Sequence, residues 1–320
     1  MFTILESFEK TPRMMRETYC DTLIELAKEN QNIIVLDADL VSSSGMKPFF
    51  KEFPDRAIQC GVAEANMIGI AAGLSSMGKI PFAHSFGCFA SRRVCDQIMI
   101  SASYAKQNVR IVGSDPGVTA AYNGGTHMPF EDMGVLRSIP EITLIEPTDT
   151  VMLADIIKQL EKLYGVYYIR MARKNVVGIY EEGSTFEIGH GNILKDGSDV
   201  SIIASGIMVA EALKAAKALR AEGVSAKVID MFTWKPIDAK LIADCASSTG
   251  AIVTAENHNV IGGLGSAVAE AVVQSHPVPI EMVGIKDRFG QVGTEDFLRK
   301  EYNLTAEEIV KSAKRAIARK

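Results

Sequence analysis

Short apolar runs of β-forming residues alternate with longer helix-like stretches along this chain, and the alternation stops and restarts once. In the first half, Asn32–Leu36, Ile80–Ala83, Val109–Val112, Ile142–Ile145 and Val166–Ile169 have the continuous apolar character of strands buried on both faces. Between them Met15–Glu29, Glu64–Met77, Ala90–Ala105 and Thr148–Leu163 carry helical spacing, the last with Thr148 or Asp149 as its cap. Residues Asn175–Ser198 are rich in Gly, Glu and Lys and hold no long periodic pattern. The alternation then resumes, with strands at Asp199–Ala204, Ala226–Ile229, Ala251–Ala255 and Ile280–Val283 and helices at Met208–Glu222, Asp238–Ala246 and Gly265–Gln274. Gly206, Gly223 and Gly250 stand at element ends, where a positive φ is often needed. A closing amphipathic helix, Thr305–Lys320, has Thr305 as its cap and Glu308 three residues on. The pattern predicts an α/β protein of two consecutive domains, near 1–185 and 186–320, each a mostly parallel sheet flanked by helices.

Composition narrows the function classes. Hydrophobic residues at 47% and charged residues at 23% supply an ordinary globular core. A net charge of −5 gives no pull towards nucleic acid or an anionic membrane, so the expected partner is a small molecule or a protein. Five cysteines without a C-x-x-C pair read as free thiols in a reducing compartment. The first ten residues lack a basic region followed by an apolar core, and no apolar run approaches the roughly 20 residues that span a bilayer. The chain is expected to be cytoplasmic.

The α/β pattern invites nucleotide fingerprints, and none fits. Gly262-Gly263-Leu264-Gly265-Ser266-Ala267 matches neither G-x-G-x-x-G nor G-x-G-x-x-A and reads as a close-packing strand-to-helix turn. There is no P-loop and no G-x-S-x-G elbow, and the five histidines show no metal-ligand spacing. The chemistry-bearing residues collect in the first half instead. Glu64 opens an apolar, small-residue segment, Gly61–Leu74, where a carboxylate resists burial and becomes a candidate proton handler. Phe86 and Phe89 follow the strand at Ile80, and Gly113–His127 is a glycine-rich loop after the next strand. Arg170, Arg173 and Lys174 crowd a third strand end. Strand carboxyl ends are where open α/β sheets bind ligands.

These blocks, in this order, resemble the C-terminal subunit of a split transketolase, a thiamine-diphosphate enzyme. Met15–Tyr19, Val35–Leu40, Gly61–Met67, Gly124–Pro129, Arg173–Asn175, Trp234–Asp238 and Val260–Ser266 carry the resemblance over essentially the whole chain. The last two blocks are also similar to deoxyxylulose-phosphate synthases and to beta subunits of 2-oxoacid dehydrogenases. The resemblance implies that Glu64 hydrogen-bonds the pyrimidine of thiamine diphosphate and promotes loss of its C2 proton. Phe86 and Phe89 would flank that ring, Phe89 as the stacking partner, with Asp39 nearby. Arg16, Ser43 and Arg173 would hold a sugar phosphate, and His127 a substrate hydroxyl.

Two residues depart from the family: Asp115 stands where transketolases carry a phosphate-binding histidine, and Asn123 where an aspartate reads the donor's C2 hydroxyl. A carboxylate 4 Å from a phosphate charge is repulsive by about 4 kcal/mol at an effective dielectric near 20, which points to a sulfonated, branched or otherwise unusual sugar. The Gly-Asp-Gly and Asn-Asn motifs that hold Mg²⁺ and the diphosphate do not occur, so the metal ligands are expected on a separate N-terminal, diphosphate-binding subunit. The implied enzyme is a two-plus-two heterotetramer that moves a two-carbon ketol unit from a ketose phosphate to an aldose. The alternatives are decarboxylation of a 2-oxoacid, deoxyxylulose-phosphate synthesis, or a non-catalytic scaffold. His84, near the aromatics, has no assigned role.

Overall fold

A computed structural model describes all of residues 1–320. In the first half β1 (Ile33–Asp37), β2 (Ala57–Gln59), β3 (Ile80–Phe86), β4 (Val109–Ser114), β5 (Ile142–Ile145) and β6 (Val166–Met171) form a parallel sheet. In the second half the strands are β7 (Asn192–Lys195), β8 (Val200–Ala204), β9 (Ala226–Asp230), β10 (Thr233–Lys235), β11 (Ile252–Asn259) and β12 (Ile280–Ile285). The sheet orders are β10-β5-β6-β4-β3-β1-β2 and β12-β11-β8-β9-β7. Strands β1, β4, β6 and β8 are buried at every position, as helices on both faces of a parallel sheet require. No helix is long and apolar enough to cross a membrane. The five cysteines are unpaired, and Cys60 and Cys95 are only half-buried.

Local chemistry sets the helix ends. Asp149 caps the helix Thr150–Lys162 by accepting from Met152 N, and its other oxygen accepts from Ile179 N and Tyr180 N, which pins the connecting segment to the helix. Thr305 caps Ala306–Ile317 through Glu308 N. At the Gly262–Ser266 turn, Glu256 accepts from Leu264 N and Gly265 N, so the chain's own carboxylate fills that helix N-terminus. A Cβ on Gly263 would lie 2.0 Å from Glu256 Oε2, the close packing expected of this turn.

The structure departs from the sequence pattern in several places. Ala90–Ala105 is not one α-helix but a 3-10 turn at Arg92–Val94, a single α turn at Cys95–Gln97 and a π-helical stretch at Ile98–Tyr104. Such π segments occur frequently at functional sites. Residues Asn175–Ser198 are not wholly irregular, since Val177 and Tyr180 bridge to Lys10 and Ile4, and β7 closes one edge of the second sheet. The two halves also share a sheet: β10 pairs antiparallel with β5, and Trp234 on it is buried edge-on to His258. Apolar contacts run unbroken from Val35 and Ile157 to Val228 and Ile309.

Asp230 sits in that shared region, wholly buried, accepting from Thr148 Oγ1 and Tyr180 Oη at 2.7 Å each. Burial pushes its carboxyl up from 3.8 to about 7, against the two hydroxyl hydrogen bonds. The native state therefore prefers the proton-bound form. That stabilisation is complete below the ordinary carboxyl range and is lost as pH rises through about 7. The advantage of Asp230→Asn over the wild type should grow between pH 5 and pH 8, by at most about 1.4 kcal/mol per pH unit. Thermal unfolding at both pH values checks this; a constant difference would contradict it.

Candidate active site

The side chains of β3 alternate between two helices and so divide the site in two. Ser85 faces the helix Glu64–Ser76, whereas Phe82 and His84 face the helix Met15–Glu29. On the first face Glu64, the opening residue of its helix, is 2% exposed. Ser85 Oγ donates to its Oε1 at 2.9 Å and Arg93 Nη1 to its Oε2 at 2.7 Å. Arg93 also lies over the Phe89 ring, its guanidinium carbon 3.9 Å from the ring centre. Phe86 and Phe89 are 6.3 Å apart, and His127 stands edge-on to both at 5.8 and 5.2 Å. Four of the residues named from sequence, Glu64, Phe86, Phe89 and His127, thus converge at the carboxyl end of β3.

A second group lies beyond Phe86. Arg16 Nη1 donates to Ser43 O at 3.1 Å, and Arg16 N to Arg173 O at 3.2 Å. Arg173 in turn stands 5.5 Å from Phe86 and places Nη2 3.0 Å from Asp115 Oδ2. Asp115 is not the open carboxylate its sequence position suggests. It is 1% exposed, at a backbone φ of 57°, and its closest charged partner is Arg173 at the end of the adjacent β6. Burial pushes its carboxyl above the usual value, and Arg173 offsets this in part.

The loop Gly113–His127 is held by the other half of the chain. Asn257, at the carboxyl end of β11, accepts from Val118 N and donates to Pro116 O, both at 2.9 Å. Gly117 adopts φ +50°, and a Cβ there would sit 2.2 Å from Asn257 Oδ1, so only glycine permits this clasp.

The remaining residues stand apart. Asp39 is exposed, with Gln59 Oε1 accepting from its backbone N–H; the buried acid of that block is Asp37, which accepts from Leu40 N and Ser44 Oγ. Asn123 is exposed at the end of its loop. Arg170, grouped from sequence with the strand-end cations, is fully buried and bound to Asp132 and Glu146. His84 is fully buried, edge-on to Tyr19, with neither ring nitrogen hydrogen-bonded, and burial pushes its pKa down to about 3. Sequence reasoning missed Ser85, Arg93 and Asn257. The first two had a signal: Ser85 points opposite to His84 on its strand, and Arg93 is four residues after Phe89.

Residues 11–177 match the transketolase pyrimidine binding domain and residues 189–309 the transketolase C-terminal domain. The chain belongs to the transketolase family. It is 51% identical over 306 residues, 96% of its length and 95% of the relative's, to the 6-deoxy-6-sulfo-D-fructose transketolase subunit SqwH of Clostridium sp. (strain MSTE9). It is 36% identical to an apulose-4-phosphate transketolase subunit of Phocaeicola vulgatus, covering 93% of this chain and 96% of that one. Among solved structures, a split-gene transketolase described as an inactive β4 tetramer superposes with a TM-score of 0.90 at 44% identity, covering 96% of this chain and 99% of that one. Membership in the transketolase family implies thiamine diphosphate as cofactor. The residues present fit its pyrimidine: a buried carboxylate and an aromatic face meet at one spot, and a flat cation from Arg93 already touches both.

Proposed function

We propose that this chain is the C-terminal subunit of a two-chain transketolase that transfers a two-carbon ketol unit from an anionic ketose to an aldose. The observation that carries this is the buried Glu64 carboxylate beside the Phe89 face at the carboxyl end of β3. When bound, thiamine diphosphate supplies the nucleophilic carbon that takes up the ketol unit. Glu64 holds a proton at the pyrimidine nitrogen, Phe86 and Phe89 flank the ring, and Ser85 keeps the carboxylate aimed. Asp39, exposed just beyond β1, is assigned to the cofactor, and Asn123 and His127 to substrate hydroxyls.

Arg16, Ser43 and Arg173 receive the anionic end of the sugar. Asp115 offsets one of the two guanidinium charges there, which suits a monoanion such as a sulfonate better than a phosphate dianion. The relatives named for a sulfo-sugar and for a sugar phosphate bracket this choice.

Mg²⁺ and the diphosphate are assigned to an N-terminal partner subunit that carries the Gly-Asp-Gly and Asn-Asn motifs, in a two-plus-two heterotetramer. The surface beside Glu64 supports such docking. Val62 is 74% exposed, Ala65, Asn66, Gly69 and Gly73 line the open face of the helix, and Met99, Ile100 and Tyr104 project next to it. The domain boundary is placed at 185/186.

The test is reconstitution with such a partner, followed by ketol transfer from sulfonated and phosphorylated ketoses. Activity is expected only when both chains are present, with Asp115→His shifting preference towards the phosphorylated donor by about tenfold or less, as for one screened charge. Release of CO₂ from pyruvate without ketol transfer would replace this assignment by a decarboxylating one.

A further inference from the structure

Arg93 makes two contacts that a bound aminopyrimidine would also make. One of its N–H groups donates to Glu64 Oε2 at 2.7 Å, and its guanidinium carbon lies 3.9 Å over the centre of the Phe89 ring. A guanidinium and a protonated aminopyrimidine are chemically alike: flat, delocalised cations with N–H donors on one edge. The exposures are unequal. The Glu64 side chain is 2% exposed and that of Arg93 42%, so the arginine reaches the carboxylate from the solvent side and has room to leave. Its neighbour Arg92 turns the other way, to Glu131 at 2.6 Å, so the pairing of Arg93 is not a general property of this basic stretch.

We propose that Arg93 is a built-in occupant of the cofactor's ring seat, which in the unloaded chain takes the Glu64 hydrogen bond and the Phe89 face and must turn outward before the pyrimidine enters. This rests on the thiamine-diphosphate function proposed above. A buried carboxylate without a counter-charge is strongly destabilising even with the Ser85 hydroxyl on one oxygen, and an aromatic face open to water is wasted apolar area. Arg93 removes both problems while the seat waits. It also competes with the cofactor, because affinity is reduced by the fraction of molecules in which the seat is taken.

Two measurements on Arg93→Met separate this from a permanent structural ion pair. In the free chain the melting temperature at pH 7.5 should fall by roughly 5 °C or more, and the additional change Glu64→Gln should restore most of it. In the complex reconstituted with the partner subunit and Mg²⁺, titration calorimetry should show thiamine diphosphate binding several-fold tighter to Arg93→Met than to the wild type. Arg93→Lys, which keeps the charge but not the planar fork, should fold normally and also bind more tightly than the wild type. Weaker binding by both variants would overturn the proposal, because Arg93 would then be a partner of the bound ring. An unchanged melting temperature in the free chain would overturn it as well. If the wild-type complex binds no thiamine diphosphate, the functional assignment itself fails and this inference falls with it.

Discussion

Glu64→Ala should leave the reconstituted enzyme assembled but lower its turnover by about 10²–10⁴-fold, the span usual for loss of a positioned acid–base group. The fold has little reason to object. Removing the carboxylate frees Ser85 Oγ, one neutral hydroxyl, and Arg93, whose side chain is 42% exposed and can hydrate. Leaving a half-exposed cation without a partner costs little compared with stranding the buried anion, so the substitution falls on the inexpensive side of this pair. Glu64→Gln sharpens the test, since it keeps the shape and one acceptor while removing the titratable group. Size-exclusion chromatography and ketol-transfer rates, measured on the same preparation, separate assembly from chemistry. Wild-type rates in either variant would rule out Glu64 as the group that serves the cofactor.

How much of this was legible in the chain depends on whether the information is local. The helix Met15–Glu29 agrees with its periodicity residue for residue, because an amphipathic stretch declares itself within a few turns. The five strands expected in the first half are all present, β2 is an addition to them, and β3, β4 and β6 run further than expected at their carboxyl ends. The added residues include His84, Ser85, Ser114 and Arg170, polar groups that break an apolar pattern yet are buried by neighbouring strands. One of them, Ser85, holds the Glu64 carboxylate, so the pattern fails where the site begins. Glu64 and the two phenylalanines stood out because each is anomalous or bulky in its own segment. Arg93 did not, since Ser91-Arg92-Arg93 reads as a solvated helix start, and only the packing of three elements selects Glu64 as its partner. The strand β10 and the Asn257 clasp were illegible for a related reason: both join residues more than 80 positions apart, and three residues carry no period.

Arg170→Met should be the most destabilising single change in the first sheet, at about 3–5 kcal/mol. Arg170 is wholly buried on β6, donating from Nε to Asp132 Oδ2 at 2.9 Å, from Nη1 to Glu146, and from Nη2 to Pro129 O at 3.2 Å and Asn257 O at 2.9 Å. Burial opposes its charge, but Asp132 and Glu146 outweigh that and hold the guanidinium firmly protonated. Tyr168 Oη and Ser205 Oγ complete the two carboxylates at 3.0 and 2.6 Å, so every member of the network has partners. His258, 3.8 Å from Asp132, is a poor substitute for the lost cation, because burial disfavours its charged form and its Nε2 accepts from Gly134 N at 3.2 Å. Methionine fills much of the volume but leaves two buried carboxylates facing each other without a counter-charge. It also unties Pro129, in the glycine-rich loop region, from Asn257, the residue that clasps that loop from the second domain. Urea unfolding should show the midpoint falling, and adding Asp132→Asn with Glu146→Gln should recover part of the loss by removing the stranded charges. If Arg170→Met cost less than about 1 kcal/mol, water would have to reach both carboxylates, and the seam between the two domains would be far more open than its packing indicates.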